Sequence, residues 1–106
     1  MKSMRLITAL TAFAVVNTTA LSASSASAVE ETVQYALEKL TSGIPAAAVI
    51  EGTEVVVVPI RTWKSVSGHY CRRYELTVTQ PGTAPDRSEA TRCRDSDGIW
   101  KKVKSD

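Results

Sequence analysis

Two cysteines, Cys71 and Cys93, constrain this chain more than any other feature, and the sequence has no others. The residue midway between them is Gly82, inside Gln80-Pro81-Gly82-Thr83. A Pro-Gly centre favours a turn. If that turn folds the strand before it onto the strand after it, the cysteines face each other. Directly opposed antiparallel residues lie about 4.5 or 5.5 Å apart at Cα, within the range of roughly 4.4–6.8 Å that a disulfide accepts. The sequence has no C-x-x-C pair and a single histidine, His69, which argues against a redox or metal centre. The expectation is a structural Cys71–Cys93 bridge across a β-hairpin. Such a bridge requires an oxidising compartment.

The N-terminus supplies the route to one. Lys2 and Arg5 precede an uncharged, mostly apolar stretch, Leu6–Val16, and small residues follow up to Ala26-Ser27-Ala28. Polarity order, length and an A-x-A site match a secretory signal peptide, with cleavage between Ala28 and Val29. The apolar stretch falls short of the roughly 20 residues that span a bilayer, and no later run is longer. The expected organisation is a signal peptide over 1–28, a helix and linker over 29–53, and a β-domain over 54–106. The expected location is periplasmic or secreted, with outer-membrane association open and no transmembrane segment in the mature chain.

The mature Val29–Asp106 has 78 residues, near the lower limit for a self-sufficient core. Without Lys2 and Arg5 it carries eleven basic and eleven acidic side chains. A net charge of zero argues against nucleic acid as a partner. The charge is uneven: residues 29–54 hold five acids and one lysine, residues 55–106 ten bases and six acids.

Val33, Ala36, Leu37 and Leu40 recur at helical spacing, which predicts a helix over Val29–Leu40 that stops at Thr41-Ser42-Gly43. Ala46–Gly52 is ambiguous between coil, helical turn and weak strand. Strands are expected at Glu54–Lys64, His69–Gln80, Ser88–Arg94 and Ile99–Val103, joined by turns at Ser65–Gly68, Pro81-Gly82 and Asp95–Gly98. The four successive valines from Val55 suggest burial on both faces, and Pro59 marks an edge, bulge or break. The fold class is mainly β, a small antiparallel four-stranded meander with one N-terminal α-helix and one disulfide. Direct pairing of the cysteines also sets Arg72 against Arg92 and Glu75 against Glu89. Like charges so placed are unfavourable, and a bulge within 83–89 is one way to relieve them.

Few side chains suggest chemistry. His69 has no nucleophile or carboxylate in a recognisable motif around it and is expected half-exposed near a strand start. Trp63 and Trp100 are either binding anchors or the bulk of a core whose only phenylalanine lies in the signal. Arg72, Arg73, Arg92 and Arg94 cluster beside the cysteines, and alternation puts Arg72, Arg92 and Arg94 on one face. That trio is the candidate binding surface, suited to a phosphate or carboxylate. The competing reading is a mixed-charge face neutralised by Glu75, Glu89 and Asp95.

Gly68-His69-Tyr70-Cys71-Arg72-Arg73-Tyr74 resembles the G-x-x-C-R-x-Y segment of the bacterial surface-antigen domain family, the type of the rickettsial 17 kDa surface antigen. The stretch from Ala90 to Trp100, ending C-R-D-S-D-G-I-W, resembles that family's closing segment. Pro59-Ile60-Arg61-Thr62-Trp63 is similar to an upstream strand of the family. The resemblance covers about residues 54–104. It implies an envelope-associated β-domain with no established enzymatic activity. Cys71 and Cys93 carry over as the bridge, Asp97-Gly98 as the turn, and Trp63 and Trp100 as core. No catalytic residue, cofactor or metal ligand carries over. Many members are outer-membrane lipoproteins with a glycine zipper. This sequence shows neither a lipidation cysteine nor a zipper, which leaves the exported domain alone as the expectation. The expected function is therefore that of an exported, non-catalytic envelope protein binding an envelope protein or peptidoglycan component. The alternative is a periplasmic inhibitor of a lysozyme-like hydrolase, with residues 81–87 as the inserting loop.

Overall fold

The computed structural model describes residues 23–103. A helix, α1 (Ala23–Lys39), precedes five strands: β1 (Ala46–Ile50), β2 (Thr53–Lys64), β3 (Tyr70–Thr79), β4 (Asp86–Arg94) and β5 (Trp100–Lys102). The strands form one antiparallel sheet in chain order. The expected meander thus holds with one strand more than expected. The addition is Ala46–Ile50, which pairs with Thr53–Val57. Its alanines carry little strand preference of their own. What makes it a strand is a two-residue turn at Glu51-Gly52, where φ is 52° and 80°. Two successive positive φ values form a type I′ turn, whose twist matches that of a hairpin.

Helix α1 lies on one face of the sheet. Val33, Ala36 and Leu37 meet Val55, Val57, Tyr74 and Trp100 to make the buried core. The four valines of β2 alternate: Val55 and Val57 are buried under the helix, while Val56 and Val58 are half-buried on the other face. Burial on both faces therefore does not hold, because only one face is covered. Beyond Val57 the strand has lost its β1 neighbour, and there Pro59 is tolerated; the register then shifts between Pro59 and Arg61. That shift leaves Trp63 opposite Cys71, half-buried and away from the helix, with the Arg61 guanidinium 4.6 Å above its ring. Of the two tryptophans expected in the core, Trp100 is there, 4% exposed, and Trp63 is not.

Cys71 and Cys93 are bonded, directly opposed in register, with Cα atoms 3.9 Å apart. That is closer than either expected spacing and nearest the class without backbone hydrogen bonds. The ladder runs unbroken from Cys71↔Cys93 to Val78↔Asp86, so the bulge expected within 83–89 does not occur in it. The turn is Gln80–Thr83, closed by the Thr83 N–H on the Gln80 carbonyl (3.1 Å). At the last hairpin the Asp95 carboxylate accepts the N–H groups of Asp97 (2.9 Å) and Ile99 (3.0 Å).

Candidate binding surface

With no bulge, Arg72 does oppose Arg92, and Glu75 opposes Glu89. Each like-charged pair is neutralised by reaching away from its opposite number. Glu89 takes Arg73 at 2.8 Å, and Glu75 faces Arg87 at 3.8 Å, both on the open face. The arginines turn under the helix and separate along it. Arg72 donates to the carbonyls of Leu37 (2.7 Å) and Ala36 (3.5 Å) and to Ser42 Oγ (3.3 Å). Those carbonyls lie in the last turn, where the helix dipole favours a cation; that of Ala36 also accepts the Leu40 N–H (3.0 Å). Arg92 holds Glu30 in a two-point pair (2.6 and 3.0 Å), and donates to Tyr74 Oη (3.0 Å) and the Trp100 carbonyl (3.1 Å).

Arg72 and Arg92 are 7% and 9% exposed, so two of the three arginines of the candidate surface work inside the protein. Burial lowers the pKa of Arg72, whose Nε has no hydrogen-bond partner. Burial acts the same way on Arg92, but hydrogen bonds to Glu30 and Tyr74 outweigh it and raise the pKa. Only Arg94 keeps substantial exposure, 43% of its side chain, while paired with Glu38 at 2.9 Å.

Glu30, Gln34 and Glu38 form a second set of contacts that sequence reasoning missed. They recur at i, i+4 and i+8, a polar stripe beside the apolar face. The Gln34 side-chain amide donates to the Trp100 carbonyl (2.6 Å) and accepts the Trp100 N–H (2.9 Å), so it pairs with β5 as a neighbouring strand would. Glu38 accepts the Trp100 indole N–H (3.0 Å) and Arg94 Nε (2.9 Å). The spacing was visible in the sequence; its target was not, because Trp100 lies 66 residues from Gln34.

These contacts predict a pH dependence. Arg92, chiefly through its hydrogen bonds, holds Glu30 below its ordinary pKa, and the Trp100 indole and then Arg94 do the same for Glu38. Between the lowered native values and the ordinary one, the unfolded chain binds more protons. The stabilisation is therefore complete above the ordinary carboxylate range and falls as pH drops through it. Urea titrations from neutral pH to pH 3 should show this loss, and Glu30→Gln should flatten it. An unchanged acid profile in that variant would show that the Glu30–Arg92 pair contributes nothing to stability.

A groove of about 410 Å³ opens between the C-terminal half of α1 and the sheet. It is lined by Leu37, Glu38, Thr62, Tyr70, Arg72, Arg94 and Trp100. Its lining mixes Leu37, Tyr70 and Trp100 with four polar or charged side chains, Arg72 and Arg94 among them. His69 is exposed in the turn before β3, and its carbonyl accepts the Ser65 N–H (2.7 Å). Among the described residues no group of three or more histidine, cysteine or acidic side chains is placed to hold a metal. No helix of the described residues is long and apolar enough to cross a membrane.

The family model of the 17 kDa outer membrane surface antigen matches residues 50–101. A 17 kDa surface antigen from Rickettsia felis is 34% identical over 76 residues, which cover 70% of this chain and 47% of the relative. The chain therefore spans about half the length of that curated relative. No solved structure matches. The matched segment runs from the end of β1 to β5, and contains both cysteines and the Asp97-Gly98 turn. Through residues 50–101 this chain belongs to the family of the 17 kDa outer membrane surface antigen.

Proposed function

We propose that the chain is an exported, non-catalytic cell-envelope protein that binds an envelope protein or a peptidoglycan component. Its signal would be 1–28, with 29–53 supplying the helix and linker and 54–106 the antigen-type sheet. A cut between Ala28 and Val29 falls inside α1 and leaves Val29–Lys39 to cover the core. Glu30 would then be the second residue of the mature protein, already paired with Arg92.

The observation that carries the reading is the division of labour among the arginines. Arg72 and Arg92 fasten the helix, whereas Arg94 stands at the rim of the groove beside Tyr70, which is 53% exposed, and Thr62. A partner's carboxylate could exchange for Glu38 on Arg94 at little cost, since both side chains are well exposed. The protein should co-sediment with envelopes or purified peptidoglycan. Arg94→Ala should weaken retention about tenfold, the order of one charged hydrogen bond. Recovery wholly in the osmotic-shock supernatant, with no cross-linked partner, would overturn the proposal.

One observation favours the alternative, a lysozyme-like hydrolase inhibitor. Residues 81–87 are exposed throughout, and they tip the hairpin that the disulfide braces. A turbidity assay separates the readings: the inhibitor requires loss of lysozyme activity at nanomolar protein, and the envelope binder predicts none.

A further inference from the structure

The two edges of the sheet are treated oppositely. The β5 edge has only three residues, carries Lys101 and Lys102, and has its Trp100 backbone occupied by the Gln34 amide. Short strands, lysines and covered backbone are how proteins prevent an edge from pairing with another chain. The β1 edge has none of these. Ala46-Ala47-Ala48-Val49-Ile50 is uncharged, and Val49 is 75% exposed. Beside it Tyr35 and Ile44 are 57% and 51% exposed. Between α1 and this strand runs a groove of about 490 Å³, bordered by Tyr35, Leu40 and Ala46–Ala48.

We propose that β1 pairs with β1 of a second copy, antiparallel about a two-fold axis at Ala48, making one continuous sheet. The turn chemistry sets the register. A two-residue type I′ turn closes on a hydrogen-bonded pair, here Ile50↔Thr53. Alternation along the ladder then gives Ala46 and Ala48 their bonds to β2. Ala47 and Val49 are left with N–H and C=O groups pointing outward. An axis at Ala48 sets Ala47 against Val49 of the other copy, and Val49 against its Ala47, so all four groups per copy are used. An axis at Ala47 would bring in Pro45, which has no N–H to donate. An axis at Val49 would need Glu51, which lies in the turn with φ 52°.

The charges agree with a self-paired edge. Glu31, Tyr35 and Lys39 are exposed and spaced i, i+4, i+8. Glu31 and Tyr35 border the groove that runs along Ala46–Ala48, so in the two-fold pair each copy brings to the seam an exposed stripe that carries both an acid, Glu31, and a base, Lys39. No like-charged residues meet on the paired strands, and alanine at the centre allows the close approach of about 4.5 Å between unbonded partners. Each copy presents the same patch, as a two-fold interface requires.

The test uses the oxidised mature protein, from Val29, in light scattering over a concentration series. The expected mass is twice that of the chain. Val49→Lys and Ala47→Pro act on an exposed side chain and an outward N–H, so both should give monomers with unchanged circular dichroism and melting. Ala48→Cys should cross-link two copies under oxidation, and Val49→Cys should not. A monomer at every concentration up to high micromolar overturns the proposal. A dimer that survives both Val49→Lys and Ala47→Pro does so equally. Cross-linking by Val49→Cys in place of Ala48→Cys overturns the register.

Discussion

Alanine at Trp100 should cost about 3–5 kcal/mol, the range for removing a large aromatic side chain from a packed core. Trp100 is 4% exposed and closes the end of the cluster that Val33, Ala36 and Leu37 form with the sheet. Its truncation also removes the indole N–H from Glu38 Oε1, which keeps Arg94 as its partner. Against a total stability of about 5–15 kcal/mol for a domain, much of the folded population is at stake. Trp100→Phe separates the two contributions, since it keeps a ring and loses the hydrogen bond, for a loss near 1 kcal/mol beyond the volume change. The comparison is Trp63→Ala, where a half-buried ring is lost from the face the helix does not cover. Urea unfolding of the three variants should rank Trp100→Ala well below Trp63→Ala. Equal losses would mean that the core is not where the helix lies.

Serine at both Cys71 and Cys93 should lower stability by about 3 kcal/mol. The bridge encloses a segment with a sequence separation of 22. A cross-link of that span removes about 3 kcal/mol of denatured-state freedom in the chain-entropy account. For a domain of this size, each kcal/mol moves the midpoint by about 4–8 °C, so Tm should fall by roughly 12–24 °C. The wild-type protein in reductant should melt where the double variant does. A Tm within a few degrees of the oxidised protein would remove the bridge from any account of what holds this fold. The bridge lies on the open face, opposite the packed helix, so each face of β3 and β4 has its own restraint.

Features encoded by neighbouring residues were legible, and those depending on distant ones were not. The cysteine register follows from the Pro81-Gly82 turn, a local signal, and it appears residue for residue in the ladder. The apolar face of α1 was equally local. Strand β1 was ambiguous because three alanines favour no strand; its hairpin with β2 and the helix beside it decide the matter. The opposed arginines looked like a conflict needing a bulge. Their resolution uses the helix end at Ala36 and Leu37, and Glu30, partners that strand alternation does not reveal. The same contacts explain why Arg72, Arg92 and Arg94 looked like one surface. Alternation put them on the right face, but that face is the one α1 covers.

The Gln34 amide, bonded to both backbone groups of Trp100, has a consequence for where this domain begins. The family model's match starts at residue 50, yet β5 obtains its outer partner from upstream of that point, in a region that the 76-residue likeness to the Rickettsia felis antigen is long enough to reach. So do Arg72 and Arg92, whose ligands on α1 and just after it lie between residues 30 and 42. A fragment cut at residue 50 would keep both sulfurs and the Asp97-Gly98 turn. It would still lose the roof over Val55, Val57 and Tyr74. The unit that folds therefore begins in α1, upstream of where the family model's match starts.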